Sequence, residues 1–170
     1  MVIEVQAPIF VFREWHRHRT QSYNEMSARY TPLPDLYYMP DERNVIDRAL
    51  LQGVNKQANS VTIPDEGILN RIPNWMQRLD RFYRMAEAHY KEALEDGIPK
   101  ELARLVMPVG HYSRMRASAN LRNWIAFLTL RMDPKAQYEI RQFANAIGQI
   151  VAEQFPQTWK LFTSHKEPKE

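Results

Sequence analysis

WMQRLDRFYRMAEAHYKEAL, residues 75–94, is the stretch on which the fold class turns. Its apolar positions Trp75, Leu79, Phe82, Ala86, Tyr90 and Ala93 recur at steps of three and four, the period that puts helical side chains on one face. The spacing predicts a long amphipathic helix, and Gly97 stands where a helix can end in a left-handed residue. Moving outward, Ile98-Pro99 opens a helical turn through Leu105, Pro108-Val109-Gly110 breaks the chain, and residues 111–119 alternate as a strand would. Asn120 precedes Leu121, Trp124, Ile125 and Leu128, so a helix is expected to end near Arg131. Asp133-Pro134 reads as the cap and first turn of a last long helix carrying Ala136, Ile140, Phe143, Ile147, Ile150 and Phe155.

On the other side, Pro32, Pro34, Pro40, Gly53 and Pro64 make residues 20–73 the least regular part, with a strand expected over 36–39 and a helix over 44–51. Residues 2–6 alternate as a strand, and Pro8 is suited to open a helix over 9–19, whose last turns crowd Arg13, Arg17 and Arg19 where the helix dipole favours cations. The expected fold is α+β, mostly helical with a small mixed or antiparallel sheet. Residues 1–163 read as a single domain and 164–170 as a polar tail.

With 170 residues, 44% of them hydrophobic and 11% aromatic, the chain has enough apolar mass for a core. Lys and Arg number 23 against 20 Asp and Glu, a formal charge of +3, too small to make neutralising a polyanion the default function. The absence of cysteine excludes a disulfide scaffold, a thiolate zinc site, an iron–sulfur cluster and a cysteine nucleophile. No run of about 18 apolar residues occurs, so no membrane partner is expected; the charge of +3 makes nucleic acid an unexpected partner as well, and a cytoplasmic location is expected. Neither the dinucleotide glycine fingerprint nor the P-loop pattern is present, so a nucleotide or flavin would have to be held by side chains and short loops.

The densest chemistry is HRHRTQSYNEMSARY, residues 16–30, in which Arg17-His18-Arg19 is followed after seven residues by Ser27. Arginine forks suit phosphates and carboxylates because they donate paired hydrogen bonds in one plane. Two readings stand side by side: a basic helix end, or an anion or nucleotide site. No metal site is expected, since His16 and His18, two apart, would not share a helix face and neighbouring arginines would repel a cation. A second cluster holds Asn120, Arg122 and Arg131. The third candidate is Arg104, an arginine among apolar residues beside a chain break.

Taken together, these blocks resemble the flavin-dependent thymidylate synthases. The resemblance rests on Arg17-His18-Arg19 with Ser27, NEMSARY at 24–30, ARLVMP at 103–108, NLR at 120–122, FLTLR at 127–131 and AQYEIR at 136–141, and it runs over about residues 3–162. It implies reductive methylation of dUMP to dTMP, with methylenetetrahydrofolate as carbon donor, FAD as hydride carrier and NADPH as reductant. It also implies a homotetramer with sites shared between subunits. By resemblance, Arg17, His18 and Arg19 contact FAD, as do Asn120 and Arg122. Glu14, Arg17, Glu25, Ser27, Arg29, Arg104 and the backbone of Met26 and Ala28 fall in the dUMP site. Arg131 would activate dUMP by polarising the pyrimidine, since a fixed guanidinium stabilises charge developing on the ring. Ser27 is expected to donate to phosphate and not to act as a nucleophile. The empty cysteine count agrees with a chemistry that needs no thiol.

Three departures stand out. Relatives carry several dozen residues ahead of the strand that here starts at Val2, which supply further flavin and folate contacts. Glu14 stands where many have Gln, and Ala126 where many have Asn or His. The alternatives are therefore a shortened, non-catalytic nucleotide- or flavin-binding relative and a nucleic-acid-binding module using Arg13, Arg29 and the arginines between them.

Overall fold

The computed structural model describes residues 1–50 and 67–164. Three strands, β1 (Val2–Pro8), β2 (Ser22–Glu25) and β3 (Tyr112–Ser118), form one antiparallel sheet in the order β1-β3-β2. Helices α1 (Ile9–Trp15), α2 (Glu42–Leu50), α3 (Ile68–Glu95), α4 (Lys100–Ala103), α5 (Leu121–Arg131), α6 (Tyr138–Gln154) and α7 (Pro156–Ser164) make up most of the rest. The α+β expectation holds. β3 shows the period of two directly: Ser113, Met115 and Ala117 are buried while Arg114 and Arg116 point outward. The chain divides into two compact units, one of Met1–Glu4, Val11–Asn24 and Arg116–Glu170, the other of Val5–Phe10 and Glu25–Met115.

The first unit is built on aromatic packing. Trp15, Trp124 and Phe127 are fully buried, and the Trp15 ring stacks on Phe127 at 4.8 Å. Ile140, Ala144, Ile147 and Val151 of α6 complete the core; of the expected apolar face Ile140 and Ile147 are buried, whereas Ile150 and Phe155 are exposed. Asn120 caps α5 by accepting from the Asn123 N–H at 2.9 Å. The last helix, however, does not start at Asp133-Pro134. The Asp133 carboxylate accepts from the Lys135 N–H at 2.7 Å, closing a local turn, and α6 begins only at Tyr138. A further helix not expected from the sequence, α7, begins at Pro156, whose missing N–H suits its first position.

Helix α1 ends earlier than the sequence predicts. It stops at Trp15, whose indole donates to Gln21 Oε1 at 3.0 Å. The Tyr23 hydroxyl lies 3.0 Å from the Trp15 carbonyl and 2.8 Å from that of His18, and so holds the chain in a turn. Burial pushes the Tyr23 phenol up to about 12, which keeps it a donor. Arg17 and Arg19 therefore lie beyond the helix, and Arg13 alone occupies its last turn. The dipole explanation fails for the other two arginines.

In the second unit α3 runs 28 residues, longer than expected, and ends as predicted. Gly97 has φ +78°, and Ile98 N–H bonds back to the Ala93 carbonyl at 2.9 Å. Its buried face is Ile72, Tyr83, Ala86 and Tyr90, whereas Trp75 and Phe82 are exposed. The reason lies at Gly110, where a Cβ would stand 1.9 Å from the Tyr83 hydroxyl oxygen. The bare backbone makes room for that ring, which stacks on Tyr37 at 4.7 Å. The strand expected over 36–39 reduces to a single bridge between Tyr37 and His111, since Pro34 and Pro40 on either side remove ladder donors. Helix α2 lies within the expected stretch apart from its earlier start, and Leu51, Gly53 and Pro64 fall outside the described residues. Among the described residues no helix is long and apolar enough to cross a membrane.

Candidate functional site

Sequence-predicted residues gather in each unit. In the first, the turn after α1 and the end of α5 bring together groups 113 to 117 positions apart. The Arg131 guanidinium donates through Nε to His18 Nε2 at 2.8 Å, through Nη1 to Glu14 Oε2 at 3.1 Å and through Nη2 to the Glu14 carbonyl at 3.0 Å. The other Glu14 oxygen lies 3.4 Å from Arg17 Nε. Glu14 thus bridges two arginines, and a carboxylate in a cationic site is neutralised locally.

His18 is the third acceptor in this cluster. Burial, then the Arg131 charge, lower its pKa to about 4 against the opposing pull of Glu14, so the imidazole is neutral near pH 7. Its ring meets Phe127 edge to face at 4.8 Å. Arg19, next to His18, and Arg122, at the start of α5, are exposed and make no ion pair among the described residues. Asn120 has its side-chain oxygen committed to the α5 cap, leaving only its amide N–H groups for a ligand.

In the second unit the segment after β2 forms a tight turn. The Ser27 carbonyl accepts from the N–H groups of Tyr30 and Thr31 at 3.1 Å each, and Ser27 Oγ lies 3.4 Å from the Arg29 N–H. Met26 N–H is tied to the Arg114 carbonyl at 2.8 Å, and Ala28 is buried. Arg29 Nε stands 3.4 Å from Glu101 Oε2, and Arg104 Nε lies 3.4 Å from the Glu101 carbonyl. One residue thus links the two predicted arginines. Glu25 is exposed at the end of β2, and no hydrogen bond or ion pair joins it to them among the described residues.

Sequence reasoning missed three participants: His18 as an acceptor for Arg131, Glu101 between Arg29 and Arg104, and Tyr23 as the brace of the turn. Only Glu101 left a signal, an acid three residues before Arg104 on a helical stretch.

The family described as "Thymidylate synthase complementing protein" matches residues 1–157. The chain belongs to that family. Among thymidylate synthase complementing relatives, it is 40% identical to the flavin-dependent thymidylate synthase of Thermus thermophilus over 162 residues, which are 95% of this chain and 55% of that protein. With the enzyme of the same name from Thermosipho africanus the identity is 38% over 161 residues, 93% of this chain and 65% of the relative. The chain therefore spans between about half and two thirds of these relatives' length. Its fold is similar to that of a UMP/dUMP methylase, PolB, from Streptomyces cacaoi, solved bound with 5-Br dUMP. The TM-score is 0.79 at 33% identity, covering 96% of this chain and 70% of the other. The structure of the same methylase bound with 5-Br UMP gives a TM-score of 0.80.

Proposed function

We propose that this chain carries the nucleotide- and flavin-binding machinery of an enzyme that methylates dUMP to dTMP, with methylenetetrahydrofolate as carbon donor, FAD as hydride carrier and NADPH as reductant. The observation that carries the reading is the Arg131 guanidinium, fixed by three acceptors on two residues with two N–H groups to spare. A preoriented cation of this kind stabilises negative charge as it develops on a pyrimidine oxygen or nitrogen, and it does so without giving up its proton. Names of relatives and a neighbour holding a brominated dUMP support the same substrate class.

Roles then follow from what each side chain has left to offer. Arg29, Arg104 and the Ser27 hydroxyl suit a phosphate, which would replace the Glu101 carboxylate at Arg29 by a stronger anion. Arg17 supplies a further cation beside the nucleotide. FAD fits the donor set of the first unit, since Arg19 and Arg122 present exposed guanidinium groups without competing carboxylates, as a diphosphate requires. Bound flavin would supply the hydride; His18 and the Asn120 amide would line its site. A homotetramer with sites shared between subunits, and a cytoplasmic location among the reduced cofactors, complete the proposal.

The experiment is direct. Purified protein should be yellow and should release tritium from 5-tritiated dUMP when methylenetetrahydrofolate and NADPH are supplied. Colour without tritium release would favour a non-catalytic flavin- or nucleotide-binding relative, and a colourless, inactive protein would reject the assignment.

A further inference from the structure

Of the three acceptors that hold Arg131, one is unlike the others. Two belong to Glu14, its carboxylate and its carbonyl, and both receive the terminal nitrogens. The third is a ring nitrogen, His18 Nε2, and it receives the Nε proton at 2.8 Å. Nε is the donor closest to the alkyl stem, so a bond there adds a near-end constraint on rotation of the planar guanidinium to the two far-end bonds, which reach the Glu14 carboxylate and the Glu14 backbone carbonyl. An imidazole can accept only while Nε2 carries a lone pair, which places its proton on Nδ1. The packing of the ring edge to face on the fully buried Phe127 holds the lone pair on line.

We propose that His18 is a positioning residue for the methylation of dUMP: its Nε2 sets the plane of the Arg131 guanidinium, so that the two uncommitted N–H groups point to where the pyrimidine binds. The inference rests on the function proposed above. It assigns His18 a task separate from contact with flavin, which the family resemblance alone implies. Glu14 gains a matching task. As a carboxylate it neutralises Arg131 while the site is empty and anchors the far side of the fork, where a neutral amide would hold it less tightly.

The test uses two variants. H18F keeps a flat ring against Phe127 and removes the acceptor, whereas H18Q offers an amide oxygen close to the former Nε2. In the ligand-free protein, nitrogen-15 NMR should show an unprotonated Nε2 on His18 and a protected Arg131 Nε–H. That protection should be lost in H18F and largely kept in H18Q. On flavin-loaded protein, H18F should lower kcat per bound flavin by about ten- to hundredfold, the scale on which small misplacements act, with KM for dUMP within about twofold. H18Q should recover most of the rate. Unchanged protection of Arg131 Nε–H in H18F would overturn the proposal, as would equal loss of flavin and rate in both variants. Absence of turnover in the unsubstituted protein would instead remove the enzymatic reading, and with it this role, while the NMR result would still report the contact itself.

Discussion

The Arg131 side chain is 16% exposed and meets Glu14 and His18 at 2.8 to 3.1 Å, whereas Arg29 is 54% exposed and meets one carboxylate among the described residues, Glu101, at 3.4 Å. Both clusters join an arginine to an acid, yet they differ in what a ligand would find. Around Arg131 the geometry exists before anything binds, held by a turn and an aromatic core. Around Arg29 the acid is an exposed stand-in, and exposed pairs of this kind contribute little. Preorganisation suits the place where charge develops during reaction, and an easily exchanged partner suits the place where an anion is picked up and released.

This contrast can be broken at several points. The greatest loss is expected from Phe127→Ala, because the ring is fully buried and supports both Trp15 and His18. Removing it should cost about 3–5 kcal/mol, read from the urea unfolding midpoint. Next, Arg131→Ala should reduce tritium release by about a hundred- to a thousandfold while FAD stays bound, the scale for losing one preorganised charge-stabilising donor. An unchanged rate would take Arg131 out of the mechanism. In the second unit, Arg104→Ala should weaken dUMP binding by about ten- to hundredfold and leave the urea midpoint where it was. A large stability loss there would erase the distinction between the clusters.

The smallest effect concerns pH. His18 titrates at about 4 in the folded protein against an ordinary 6.5, so between those values the unfolded chain binds the extra proton. Its share of stability is intact above pH 6.5, is lost as the pH falls toward 4, and changes no further below that. Urea midpoints at pH 7 and 4.5 should therefore move less for H18Q than for the unsubstituted protein. Buried His111, whose pKa burial also lowers, is present in both proteins and cancels from the difference.

Arginines, the serine of the turn and the end of α3 were legible because each announces itself locally: fork chemistry, spacing, a glycine after a periodic run. The Arg131 cluster was legible in its members and not in its wiring. His18 meets Arg131 only because α1 stops at Trp15, and that stop depends on Gln21 and Tyr23 reaching back from a later turn. Helix propensity alone carries the chain on to Arg19. Likewise Phe82 and Tyr83 are neighbours on α3 with similar claims to the core, and periodicity chose the wrong one. What decides between them lies 27 residues away, at Gly110. Proline misled where its local logic fitted two places: Pro134 and Pro156 both suit a first turn, and only the second heads a helix.

Gly110 and Tyr83 also constrain how this protein can change over generations. Any side chain at 110 evicts the phenol, and any smaller ring at 83 leaves a hole beneath Tyr37. Single replacements at either place are therefore penalised, whereas a paired exchange, small for large and large for small, has a route open. The two positions should drift as a couple, and a double-mutant cycle between them should show the interdependence that neither substitution reveals alone.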